Sequence, residues 1–146
     1  MDEFEHYKSL KKMYLSAPVN EIYNPKIQVD NGTAEIEIEV NEKYFHSAGA
    51  VHGSVYFKML DDAAFFAVSS LEKKVFVLTT SFTTYITKPV SKGIMRAQGK
   101  VVNQNKTQFI AEAVVFDAEG NELGRGNGIF VKSKIPLGTA IEYKGA

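Results

Sequence analysis

The stretch from His52 to Leu71, HGSVYFKMLDDAAFFAVSSL, decides the fold. From about Ser54 to Leu71 it reads as one long helix, and its only charged side chains are Lys58, Asp61 and Asp62. On a helical wheel at roughly 100° per residue the apolar side chains are not confined to a stripe but run nearly all round. A helix of that kind must be covered on most sides. The flanking sequence supplies the cover. Downstream, four strands are predicted at roughly 75–87, 94–103, 107–117 and 122–132. The last two joints, Asn103 to Lys106 and Asp117 to Asn121, read as hairpin turns, so the four are expected to run as a meander of antiparallel neighbours. Upstream, Lys26 to Val29 is extended and Asp30-Asn31-Gly32 is a turn. Thr33 to Val40 then alternates, with Ala34, Ile36, Ile38 and Val40 on one face and Glu35, Glu37 and Glu39 on the other. An α+β fold follows, a curved antiparallel sheet wrapped around one long central helix.

The rest of the chain fits one domain over residues 1–146. An N-terminal amphipathic helix is predicted at about 2–15, with Phe4, Tyr7, Leu10, Lys11 and Tyr14 at spacings of three and four, closed by Ser16-Ala17-Pro18. The tail from about 133 to 146, with Pro136 and Gly138, is expected to be loosely ordered. Hydrophobic residues make up 45% and charged residues 23%, with a net charge of zero, the balance of an ordinary soluble domain. No Lys/Arg block suggests nucleic acid, and no apolar run is long enough for a membrane span. The first fifteen residues do not read as a signal peptide. The chain has no cysteine, which excludes disulfides and a thiol nucleophile and fits a reducing compartment; a cytoplasmic location is expected.

Two acids stand on the central helix. Asp62 lies four residues after Lys58 on a narrow polar edge and reads as an ordinary surface ion pair. Asp61 lies elsewhere, flanked on the wheel by Phe57, Val68 and Phe65. A carboxylate on an apolar flank is costly unless hydrogen-bonded or protonated, and its pKa tends to rise towards the range of a general base. A structural acid bonding backbone amides would leave the same signature. At the start of the helix, Gly53 offers an amide without an internal acceptor and without a side chain in the way, a setting that suits a developing oxyanion. The plain alternative is a turn glycine preceded by a capping His52. Gly124, Gly126 and Gly128 recur every second residue, which marks one face of a strand packed close against another element, not a phosphate loop. No Gly-x-Ser-x-Gly elbow is present, and His6, His46 and His52 have no metal-ligand spacing with Asp61 or Asp62.

The segment 46–64, HSAGAVHGSVYFKMLDDAA, resembles the signature of PaaI-like hotdog thioesterases. That signature is a polar amide residue, then Gly-x-x-His-Gly-Gly, then an acid nine residues after the His, followed by x-Ala. Gly49, His52, Gly53, Asp61 and Ala63 match in register. Thr79 to Val90, ending Lys88-Pro89-Val90, is similar to the family's third strand and its exit, and Gly120 to Gly128 is similar to its final hairpin. The likeness covers about residues 27–132. It implies a hotdog fold and hydrolysis of a small aryl or short- to medium-chain acyl-CoA to the free acid and CoA. Asp61 would be the catalytic carboxylate, as nucleophile or as base for water. The Gly53 amide would polarise the thioester carbonyl, His52 would fix that loop and Thr79 would help to hold the water. His46 stands where the family usually has Asn or Gln, and Ser54 replaces the second Gly. Gly49, Ser54 and Phe65 would line the substrate, while Lys88 and Arg125, with Lys92 and Arg96, are the basic residues for the CoA phosphates. No metal or cofactor is expected beyond the CoA of the substrate. The family's site lies between subunits, so a homodimer or a dimer of dimers, a homotetramer, is expected. Two other readings remain: a hotdog hydratase or dehydratase using His46 or His52 with a carboxylate, and a non-catalytic acyl-CoA binder.

Overall fold

Alternation sets the sheet. In the computed structural model, which describes residues 1–143, strand β2 (Thr33–Glu39) buries Ala34, Ile36 and Ile38 and turns its glutamates outward. It pairs with β1 (Lys26–Asp30) across the predicted turn, where Gly32 takes φ +73°. Strands β3 (Val75–Ile86), β4 (Ile94–Gln104), β5 (Gln108–Phe116) and β6 (Glu122–Pro136) complete an antiparallel sheet of order β1-β2-β4-β5-β6-β3. The central helix α2 (Gly53–Ser69) lies in its curve, with Leu60, Ala63, Ala64 and Val68 fully buried. Gly99 of β4 lets the helix settle on the sheet, because a Cβ there would stand 2.3 Å from the Ala63 carbonyl oxygen.

The expected four-strand meander is corrected in one respect. β4, β5 and β6 do follow one another, but β3 pairs with β6 and β4 pairs with β2. The link between β3 and β4, which contains Pro89, crosses the fold instead of turning back into a hairpin. It is held in passage by Val51 N–H on the Val90 carbonyl at 3.0 Å and Val40 N–H on the Gly93 carbonyl at 2.9 Å. One consequence reaches the site: β3, twelve residues long, becomes an edge of the sheet.

Helix α1 (Glu3–Ser16) is capped by Asp2, whose carboxylate accepts from Glu5 N–H at 2.8 Å. Its buried face is His6, Tyr7, Leu10, Met13 and Tyr14. Phe4, expected on that face, is 82% exposed. The reason is the burial of His6, which meets the Ser69 carbonyl at the end of α2 at 2.7 Å; Phe4, two residues earlier, then points roughly 200° away. The tail expected to be loose is also corrected over its described part. β6 continues to Pro136, Leu137 N–H donates to the Lys74 carbonyl at 3.0 Å, and the buried Tyr143 hydroxyl lies 2.8 Å from His6 Nδ1. Apolar Leu137 and Tyr143 give this end a core to bind; residues 144–146 of the expected tail lie outside the described residues. Among the described residues, no helix is long and apolar enough to cross a membrane.

Candidate active site

Asp61 emerges from the flank of α2 that faces β3. The Thr79 hydroxyl of β3 donates to Asp61 Oδ1 at 2.9 Å. The register of β3 against β6 slips between Thr79 and Ser81, a bulge that re-aims the strand beside the carboxylate. Burial is the main influence on Asp61 and pushes its pKa from 3.8 up to about 6. The Thr79 hydrogen bond and Lys58 pull it down, while neighbouring Asp62 pushes it further up. The carboxyl is thus ionised at neutral pH yet basic enough to take a proton from water.

The other cluster is at the start of α2. His52 is its N-cap: His52 Nδ1 accepts from Ser54 N–H at 3.0 Å, and the Ser54 hydroxyl lies 2.8 Å from the same nitrogen. His52 N–H donates to the Tyr44 carbonyl at 2.8 Å, which anchors the loop. Gly53 is the first helical residue, so its amide has no acceptor within the helix. A Cβ on Gly53 would stand 2.9 Å from Ile86 Cδ1, at the end of β3. His46 and Gly49 form a tight turn in which Gly49 takes φ +83° and donates to the His46 carbonyl at 3.0 Å, while His46 Nδ1 accepts from Ala48 N–H at 3.0 Å. Both are exposed, and the turn itself calls for glycine at position 49.

Helical geometry separates these two clusters. Gly53 and Asp61 are eight residues apart on one helix, about 12 Å along its axis at 1.5 Å per residue. They cannot grip the same carbonyl within one chain. Between them Phe57, 42% exposed, meets the ring of Phe82 edge-on at 5.7 Å. Phe82 is seated by the glycine stripe: a Cβ on Gly126 or Gly128 would come within 2.6 or 2.5 Å of its ring. That accounts for the alternate glycines as a bare strand face. Phe57, one turn before Asp61, and Phe82 are both among the aromatics the sequence offers for an acyl pocket, but that the two meet is set by the sheet.

Other candidates sit apart. Phe65 packs against the rings of Phe66, Phe76 and Phe130. Lys88 is exposed at the end of β3, where its carbonyl accepts from the Tyr56 hydroxyl at 2.7 Å. Arg125 lies on the solvent face by strand alternation, across the sheet from α2, where Glu122 holds its guanidinium at 2.8 and 2.5 Å. Arg96 lies on the outer face too, 4.0 Å from both Glu35 and Glu37. Asp62 is corrected. Lys58 does pair with it, at 2.5 Å, but the two side chains are only 18% and 17% exposed and Tyr14 of α1 donates to the same carboxylate oxygen at 2.7 Å. A short-range wheel cannot reveal a partner 48 residues away.

The model of the thioesterase superfamily matches residues 48–123. Among curated proteins, "Putative esterase SSO1253" of Saccharolobus solfataricus is 24% identical over 71% of this chain and 69% of its own length. A "Putative esterase" of Sulfurisphaera tokodaii is 25% identical over 70% and 77%. Among solved structures, the Escherichia coli PaaI protein from the phenylacetic acid degradation operon superposes with a TM-score of 0.83 at 15% identity, over 92% of this chain and 97% of that one. The Haemophilus influenzae thioesterase HI1161 gives 0.74 at 15% identity, over 82% and 85%. These likenesses establish the hotdog fold. The family match takes in the His46–Val51 turn from Ala48, all of α2 and the strands from β3 to the start of β6, and on that span the chain belongs to the thioesterase superfamily, with the fold of its PaaI-like hotdog members.

Proposed function

We propose that the protein hydrolyses acyl-CoA thioesters, with each site shared by two copies of the chain. The observation that carries this reading is Asp61: a half-buried carboxylate, held by Thr79 on the flank of the enclosed helix and raised to about 6. In this reading Asp61 takes a proton from water as the water oxygen attacks the thioester carbonyl carbon. The amide of Gly53 from the second chain stabilises the oxyanion. The C–S bond then breaks, the protonated Asp61 returns its proton to the leaving CoA thiolate, and the carboxylic acid leaves. The Phe57–Phe82 pair, with Phe57 exposed and Phe82 partly buried, supports a small aryl or short- to medium-chain acyl group beside the carboxylate.

Two observations support sharing. Asp61 and Gly53 are about 12 Å apart on one helix. The edge strand β3 carries exposed Leu78, Tyr85 and Ile86, a surface that calls for a cover. A homodimer, alone or paired into a tetramer, would supply both. CoA enters as part of the substrate, and the cytoplasm remains the proposed location. A hydratase would need a histidine paired with a carboxylate; within one chain His46 and His52 bond instead to neighbouring backbone and serine groups.

The test is turnover of a panel of acetyl-, butyryl-, hexanoyl-, benzoyl- and phenylacetyl-CoA by wild type and Asp61→Asn. Thiol release by wild type and its loss in the variant are expected. Full activity in Asp61→Asn would overturn the assignment, and a fully active monomer in sedimentation would overturn the shared site.

A further inference from the structure

Asp61 is followed directly by a second acid, and the fold treats the two differently. Asp62 Oδ2 accepts from Lys58 Nζ at 2.5 Å and from the Tyr14 hydroxyl at 2.7 Å. Lys58 Nζ in turn stands 5.5 Å from the centre of the Tyr14 ring and 5.4 Å from that of Tyr23, so two aromatic faces hold the cation in place. Tyr23 packs on Tyr44 at 5.2 Å, and the Tyr44 carbonyl receives the amide of His52, the cap of α2. The cluster thus runs from the carboxylates back to the helix start. Asn20 secures the end of α1 by donating to the Tyr14 carbonyl at 2.7 Å. Tyr14, Asn20, Tyr23 and Tyr44 all precede the segment matched by the family model, so the cluster draws largely on residues outside that segment.

We propose that Tyr14, through its hydroxyl on Asp62 and its ring beside Lys58, is a positioning residue that fixes the charge next to Asp61. The inference rests on Asp61 being the working carboxylate. Two adjacent anions on an apolar helix repel, and only one is needed for the chemistry. Lys58 and Tyr14 both contact the Asp62 carboxylate, while Asp61, among the described residues, accepts from Thr79 alone. The signs are consistent with this division: Asp62 pushes Asp61 up and Lys58 pulls it down. Burial and Asp62 together hold the Tyr14 hydroxyl in its protonated, donating form. The polar and charged groups facing Asp61 are Lys58 and Asp62 from its own helix, the neutral Thr79 hydroxyl from β3 and the neutral Tyr14 hydroxyl from α1.

The test reads Asp61 itself. Carbon-13 NMR of the aspartate carboxyls gives its titration midpoint in the full-length protein, the signal being identified by its loss in Asp61→Asn. Asp62→Asn removes the neighbouring anion and is expected to move the midpoint down by roughly half a unit to one unit. Tyr14→Phe keeps the ring but removes the hydroxyl, leaving Asp62 less compensated, and Lys58→Met removes the cation; both are expected to move it up. The acid limb of kcat/KM on phenylacetyl-CoA should follow the same signs. Tyr14→Phe and Asp62→Asn that lower Tm but leave the midpoint unchanged would reduce the cluster to a structural brace and overturn the inference. That outcome is separate from loss or retention of turnover in Asp61→Asn, which tests the reading of the site.

Discussion

If Asp61 is kept where an ionised carboxylate is disfavoured, then replacing it should stabilise the protein while removing its activity. Its pKa is raised from 3.8 to about 6, with burial as the leading cause. Because the folded-state value lies above the unfolded one, the folded chain binds the extra proton between these limits. Stability is therefore lost as pH rises from about 4 to about 6, and the full loss persists at pH 8. About two units at 1.36 kcal/mol each gives an upper bound of about 3 kcal/mol. Partial solvent access screens part of this, so Asp61→Asn is expected to gain about 1–2 kcal/mol at pH 8. The amide oxygen of Asn still accepts from Thr79, so that hydrogen bond is retained. In a chain of this size the gain corresponds to a Tm higher by about 3–6 °C. The assay is thermal unfolding of wild type and Asp61→Asn from pH 4 to 8 at one fixed protein concentration, since assembly makes Tm concentration-dependent. The difference should be near zero at pH 4, grow through pH 5 and level off above about pH 6. Turnover should fall by about a hundredfold or more. A variant no more stable than wild type at pH 8, or a gain independent of pH, would refute the reasoning.

Three further outcomes follow from neighbouring contacts. Thr79→Val removes a hydrogen bond that holds the Asp61 pKa down, so the acid limb of the pH profile should move upward, as read by kcat/KM between pH 5 and 8. Gly99→Ala forces a Cβ to within 2.3–2.6 Å of the backbone of Ala63 and Ala64, and urea denaturation should show a loss of about 3 kcal/mol or more; a neutral result would mean α2 does not rest on β4 as described. His6 is buried and its pKa is lowered, chiefly by burial, so the unfolded chain takes up the proton first as pH falls below 6.5. The stability margin of wild type over His6→Asn should accordingly narrow between pH 7.5 and 5.5 in urea titrations, and a constant margin would rule out a neutral buried histidine.

Much of the site was legible because it lies on one helix. The apolar setting of Asp61, the bare amide of Gly53 and their separation are all consequences of spacing along a single element. The resemblance over residues 46–64 then gave those positions roles. The contacts that refine the site were not legible. Thr79 was placed beside Asp61 by resemblance, not by pattern, and the hydrogen bond depends on a bulge in a strand that begins after the helix ends. Arg125 read as one of the basic residues for the CoA phosphates, and its pairing with Glu122 on the solvent face came only from the structure.

By itself the sequence determined which residues face inward. A helix apolar nearly all round and strands that alternate admit few arrangements other than a sheet folded about that helix. Tertiary structure alone decided which elements meet. It placed β3 beside β6 and so made it an edge, joined Tyr14 to Asp62, and docked Tyr143 on His6. The physical reason is range: side-chain periodicity is fixed by the local backbone repeat, whereas strand neighbours and buried hydrogen bonds are fixed by which surfaces come together once the whole chain has collapsed.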